Sequence, residues 1–271
     1  MKNGMRKLLA VALAAVLVGS ASLLIRHMNQ YDAGADDLQA ARALVKTDIP
    51  EESVPMAAQP AEENGASHVL KAQETTYIPA DEIAGSLSRM DLSELQAANP
   101  DVVGWIHIPS TAIDYPVLQG EDNDYYLHHT WQHRENIVGS IFLDWRNAAG
   151  FSDFNSILYG HHMRDGSMFR DLILYEKEEF LREHPYIYLV DDTGKCVRYT
   201  VFAVYETGTQ LTYTTEFEDE GLRTRWLDDC IARSEFAAEE LPNAGDKVLT
   251  LSTCTGESYT SRWVVQAWAE G

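Results

Sequence analysis

The spacing of apolar and polar residues changes period several times along the chain, and each change marks an element. Leu8 to Ile25 runs eighteen residues without a charge, behind Lys2, Arg6 and Lys7 and ahead of Arg26. At a rise of about 1.5 Å per residue such a helix spans about 27 Å, close to the ~30 Å hydrocarbon core of a bilayer. The basic residues ahead of the run put the N-terminus, residues 1–7, on the cytoplasmic side. Small residues from Gly19 to Ser22 also fit the cut site of a secretory signal. The apolar run continues past them through Leu23, Leu24 and Ile25, so the expectation is an uncleaved single-pass anchor over residues 8–26, in contact with the lipid bilayer.

From His27 to Thr76 the periodicity is lost, and Ala, Glu, Asp, Gln and Pro dominate with almost no aromatic residues. Such a composition buries too little apolar surface to offset the entropy of ordering. The segment reads as a flexible acidic stem, with room for a short helix over 32–46.

Regular patterning resumes at residue 77 and continues to 271. Ile83, Leu87, Met90, Leu92 and Leu95 recur at near-helical spacing and predict one or two short helices ended by Pro100. Four strands follow, at 102–108, 113–118, 139–145 and 157–159. Residues 167–183 read as a helix or two, then 186–190 and 197–205 as strands around a turn at 191–195. Between 214 and 240, Phe217, Leu222, Trp226, Leu227, Cys230 and Ile231 share one face of an amphipathic helix. Strands at 248–254 and from Arg262 onward bring the total to about eight, enough to close a small barrel. The fold class is therefore mainly β with helices (α+β). Side chains fill such a barrel, so a site must lie in a groove at its rim.

The formal charge of −21 argues against a nucleic-acid partner, which needs a basic footprint, and disfavours adhesion to anionic head groups. Three cysteines make no disulfide framework, and none of their spacings fits a zinc site. Cys196, in a strand-like run, and Cys230, in the helical run, read as small buried side chains. Cys254 differs: it stands at a strand end, with Arg262 eight positions on. A thiol becomes a nucleophile as its thiolate, which a neighbouring positive charge favours. Arginine supplies that charge and can also steady an oxyanion. The proton-transfer group such chemistry requires is most often histidine. The segment SILYGHHMRDGSMF, residues 156–169, offers His161 and His162 at a strand end, and alternation sends their side chains opposite ways. HHTWQH, residues 128–133, lacks a supporting cysteine or carboxylate pattern and reads as a surface helix rather than a metal site.

Thr-Leu-Ser-Thr-Cys at 250–254 with Arg262, together with Tyr-Gly-His at 159–161 and then Met163, Asp165, Gly166 and Met168-Phe169, resembles the sortases, class B in particular. The likeness runs from about Tyr77 to the C-terminus. It implies a closed eight-stranded barrel with N-terminal helices and a long helix before the last two strands, where the 214–240 pattern falls. It places the catalytic histidine directly after Gly160, at His161, and leaves His162 to order the neighbouring loop. The segment 104–127 also looks like sortase sequence. It implies that Asn123 and Leu127 form part of the wall of a groove for a sorting signal; Asn123 as the cap of a helix packed by Leu127 stays open beside that. Ser252, two residues before Cys254 and on the same side of the strand, and Thr253 complete the substrate-binding candidates.

The residues alone support acyl transfer through a covalent intermediate, with Cys254 as nucleophile, Arg262 on the oxyanion and His161 protonating the leaving amine. They permit hydrolysis as readily as transfer. The resemblance implies cleavage of an LPXTG- or NPXT-like motif after its threonine, on surface proteins bearing a C-terminal sorting signal. The acyl group would then pass to an amine of a peptidoglycan precursor or a pilin, outside the cell and without metal or organic cofactor. A hydrolytic cysteine peptidase with a convergent Cys-His-Arg site and a non-catalytic barrel binding wall peptides remain alternatives.

Overall fold

Eight short, largely apolar runs pair into one closed sheet. They are β1 (Val102–His107), β2 (Asp114–Leu118), β3 (Ile141–Leu143), β4 (Asn155–Tyr159), β5 (Tyr186–Asp191), β6 (Cys196–Thr207), β7 (Lys247–Cys254) and β8 (Arg262–Ala269). The structure, a computed structural model, describes residues 2–45, 80–208, 210–254 and 261–269; the side chains of 2–12 and of Cys254 are outside that description. The barrel closes in the order β1-β2-β3-β4-β7-β8-β6-β5, with β5 back against β1. β2 with β3 and β4 with β7 run parallel; the other neighbours are antiparallel.

Alternation divides the side chains of these strands between two faces. On β7, Leu249 and Leu251 enter the barrel core with Leu158, Val265 and Ala267. Val248, on the opposite phase, joins Phe154, Phe202, Trp226, Leu227 and Cys230 on the outer side, under a helix. Each such side chain contributes about 1.5–3 kcal/mol when fully buried. The covering helix is α5 (Glu220–Arg233), shorter than the 214–240 pattern suggests. Asp219 starts it by accepting a hydrogen bond from the Leu222 amide at 2.8 Å, and it stops before Ser234. Two short helices precede the barrel, α2 (Ala80–Leu87) and α3 (Ser93–Ala98). The 167–183 segment resolves into a 3-10 helix over Arg170–Glu176 and α4 (Glu178–Glu183). The expected fold class stands.

HHTWQH is not a surface helix. After a 3-10 turn at Tyr125–Leu127 the chain forms a β-bridge between His129 and Glu135 around a turn, with His133 at φ 57°. The cause is Trp131, 6% exposed, which is drawn inward and donates its indole N–H to the Asp37 carbonyl at 2.6 Å.

Asp37 belongs to α1 (Lys2–Leu44), the helix that carries the expected anchor. Leu13, Val16, Leu17, Val18, Leu23, Leu24 and Ile25 are exposed around its whole circumference. Among the described residues no helix is long and apolar enough to cross a membrane; the side chains of residues 8–12, which open the apolar run, lie outside them. The second half of α1 lies against the barrel. The buried Asp37 carboxylate accepts from the Thr130 hydroxyl at 2.6 Å and the Arg134 guanidinium at 2.8 Å. The Gln30 carbonyl accepts from Asn136, and Arg42 pairs with Asp114 at 3.1 Å. Residues 27–44 of the expected stem are thus helical and docked through Asp37 and the Gln30 main-chain carbonyl, which accept from barrel donors, and Arg42, which donates to Asp114. Residues 46–76 lie outside the described residues.

Candidate active site

The register of two neighbouring strands brings distant residues to one level. On parallel β4 and β7, Tyr159 stands opposite Ser252, and the Gly160 amide donates to the Ser252 carbonyl at 3.2 Å. His161 comes two residues after Tyr159, and Cys254 two residues after Ser252. On β8, Arg262 pairs directly with Cys254. The three candidates, up to 101 positions apart in sequence, therefore end three adjacent strands, which lie about 5 Å apart. Gly160 permits close packing at this strand end: a Cβ there would stand 2.4 Å from Ile141 Cδ1 and 2.8 Å from the Phe169 ring.

A cavity of about 400 Å³ opens at this rim, lined among others by Leu127, Tyr159, His161, Tyr213, Ser252 and Arg262. Asn123 and Thr253 also line it. The Thr253 hydroxyl is buried without a hydrogen-bond partner among the described residues. The Cys254 side chain and the loop 255–260 lie outside the described residues. Burial pushes the thiols of Cys196 and Cys230 up to about 11, so neither is suited to nucleophilic attack at neutral pH.

His161 is largely buried, and its Nε2 lies 2.7 Å from the Leu127 carbonyl oxygen. Burial lowers its pKa below the ordinary histidine value; the Leu127 bond pushes back, while His128 and Arg262 lower it further. His162 Nε2 accepts from Arg170 at 3.1 Å, and burial followed by Arg170 lowers its pKa too. His162 bridges to Met168, and the Phe169 amide donates to the His161 carbonyl at 2.9 Å. His162 thus orders the loop that begins at His161.

Asn123 does not cap the 3-10 turn. Asp122 does, accepting from the amides of Asp124 and Tyr125. Asn123 instead donates to Asp144 Oδ2 and accepts from the Trp145 amide, each at 3.0 Å. No sequence pattern marks the brace around Asp144, which has 0% exposure. Burial alone would raise its pKa, but Arg146, at 2.9 and 2.7 Å, and the Tyr159 hydroxyl, at 3.0 Å, hold it below the usual carboxylate range. Arg146 also donates to the Tyr213 carbonyl, and a 2.9 Å hydrogen bond joins the Tyr213 and Ser252 hydroxyls. Tyr213 sits at the start of the 214–240 pattern, where nothing in the sequence separates a groove wall from a helix end.

The sequence profile of the Sortase domain matches residues 106–270. The chain belongs to the sortase family. This sortase is 44% identical over 188 residues to sortase B of Listeria monocytogenes, covering 66% of this chain and 73% of that one. It is 37% identical over 183 residues to sortase B of Staphylococcus aureus, covering 66% and 74%. The X-ray structure of Clostridium perfringens sortase B superposes with a TM-score of 0.63 at 33% identity, over 66% of this chain and 98% of that one. The sortase is accordingly of class B, a cysteine transpeptidase with an extracellular type of domain. Its family implies sorting-signal substrates and amine acceptors.

Proposed function

We propose that this sortase is held in the membrane by residues 8–26 with its barrel outside the cell. There it cleaves an LPXTG- or NPXT-like motif after the threonine and passes the acyl group to an amine of a peptidoglycan precursor or a pilin subunit. The observation that carries the reading is the register that brings His161, just past the end of β4, level with Cys254 at the end of β7 and Arg262 at the start of β8, beside a rim cavity lined by His161 and Arg262. The anchor is supported by the apolar side chains exposed all round α1 between Leu13 and Ile25, a pattern that suits a lipid environment and not water.

The Cys254 thiolate attacks the carbonyl carbon of the threonine, and Arg262 stabilises the oxyanion of the tetrahedral intermediate. His161 as imidazolium protonates the leaving amine, so that the C–N bond breaks and a thioester remains on Cys254. Neutral His161 then takes a proton from the incoming amine, which attacks the thioester and returns the thiolate. Asn123, Leu127, Ser252 and Thr253 contact the motif upstream of the cleaved bond.

Mass spectrometry of the enzyme incubated with a sorting-motif peptide tests this directly. The expected result is a thioester adduct on Cys254, absent in Cys254→Ala, that converts to an amide product when an amine acceptor is added. An adduct on another residue, or a product that never takes up the amine, refutes the assignment or the transfer step respectively.

A further inference from the structure

A catalytic histidine must present one definite nitrogen to its substrate, and the main chain around His161 decides which. A carbonyl oxygen can only accept a hydrogen bond, so the 2.7 Å contact to Leu127 requires a hydrogen on Nε2 in both the neutral and the charged ring. The nitrogen left to exchange a proton is Nδ1. The Leu127 carbonyl is itself held. The Leu127 amide donates to the Asp124 carbonyl at 3.1 Å, and the Ser140 amide donates to the Tyr126 carbonyl at 2.9 Å. Between these contacts lies Gly139, at φ 58°. A Cβ on it would stand 2.6 Å from both the Tyr126 and Leu127 oxygens and 2.9 Å from the Leu127 carbonyl carbon. The two segments can approach this closely because that position has no side chain.

We propose that the Leu127 main-chain carbonyl, seated against left-handed Gly139, is the positioning group for His161, fixing Nε2 as a permanent donor and making Nδ1 the nitrogen that takes and returns the proton. This rests on the reading of His161 as the acid/base. Leu127 then has two separable roles, since its side chain lines the cavity while its carbonyl holds the ring. The charged and titratable groups acting on His161 among the described side chains are His128, adjacent to Leu127, and Arg262 on β8.

The first test needs no variant. Long-range proton–nitrogen NMR on the full chain, above the His161 titration, should find the neutral ring in the Nε2–H form; an Nδ1–H ring overturns the proposal, whatever the transfer assay shows. In Gly139→Ala the added methyl displaces the carbonyl, and loss of a bond that raises the His161 pKa moves its titration to lower pH. Because misplacing a catalytic group by about 1 Å can cost about a hundredfold in rate, kcat should fall by at least about tenfold, with KM unchanged. Unaltered titration and kcat in that variant overturn the proposal. Leu127→Ala keeps the carbonyl, so His161 should titrate as in the unmodified protein; a shift equal to that of Gly139→Ala would show that side-chain packing holds the ring and overturn it too. Where Gly139→Ala does not fold, the tautomer measurement and Leu127→Ala decide.

Discussion

Asp144 has no contact with solvent, yet it stays ionised because Arg146, Tyr159 and Asn123 all donate to it. The carboxylate stiffens the cavity wall by tying Asn123, Tyr159 and, through Arg146, Tyr213 to one point. Arg146→Ala would leave a buried charge without its cation, at a cost of about 3 kcal/mol in a denaturant titration. The pH dependence gives the sign. The folded pKa is depressed, so the pair's contribution is present above the unfolded value and is lost as pH falls through the folded one. The deficit of Arg146→Ala should therefore shrink as pH drops below about 4, the carboxylate range; a deficit independent of pH would mean that the arginine acts by packing alone. Cys254, His161 and Arg262 are candidates in the sequence because a short motif surrounds each of them, and the strand register brings the three positions to one rim. Tyr213 and the Asp144 brace were not legible, because their roles come from hydrogen bonds that no local pattern encodes.

At the scale of elements, short apolar runs bounded by turns mark the eight strands; β1, β3 and β4 are buried almost throughout because both their faces are covered, so they show little alternation. Such runs could not reveal that β4 and β7 are neighbours, although that parallel contact aligns His161 with Cys254. The rest of the misreading lies in α1. Asp37 and Arg42 read as solvated stem because polarity alone does not distinguish a residue facing water from one facing a protein partner. The Asp37 latch predicts its own test. Asp37→Ala removes the acceptor of Thr130 and Arg134, a loss of about 1–3 kcal/mol in the docking of this half of the helix. Amide exchange over residues 30–44 should accelerate by about tenfold or more, the equivalent of about 1.4 kcal/mol, while the barrel strands keep their protection. Unchanged exchange in α1 would mean that the latch does not hold it.

For the molecule as a whole, the site exists only when the barrel is closed, because its three strand ends come from segments that share no local contact. Its proton chemistry is accordingly a property of the fold. Burial, then His128 and Arg262, hold the His161 pKa below the histidine value of 6.5, against the opposing pull of Leu127. A folded molecule thus binds fewer protons at this ring than an unfolded one, and the contribution to stability falls as pH drops through 6.5. In the proposed mechanism the ring is charged and Cys254 ionised together, so kcat/KM should follow a bell governed by the coupled pair rather than by either group. Cys254→Ala separates the two. Without a thiolate to favour the imidazolium, His161 should titrate below 6.5 by NMR, and in the unmodified protein the same titration should lie higher. A titration at the same pH in both proteins would mean that thiolate and imidazolium do not interact, and a flat rate profile from about pH 5 to 10 would remove His161 from the proton transfer altogether.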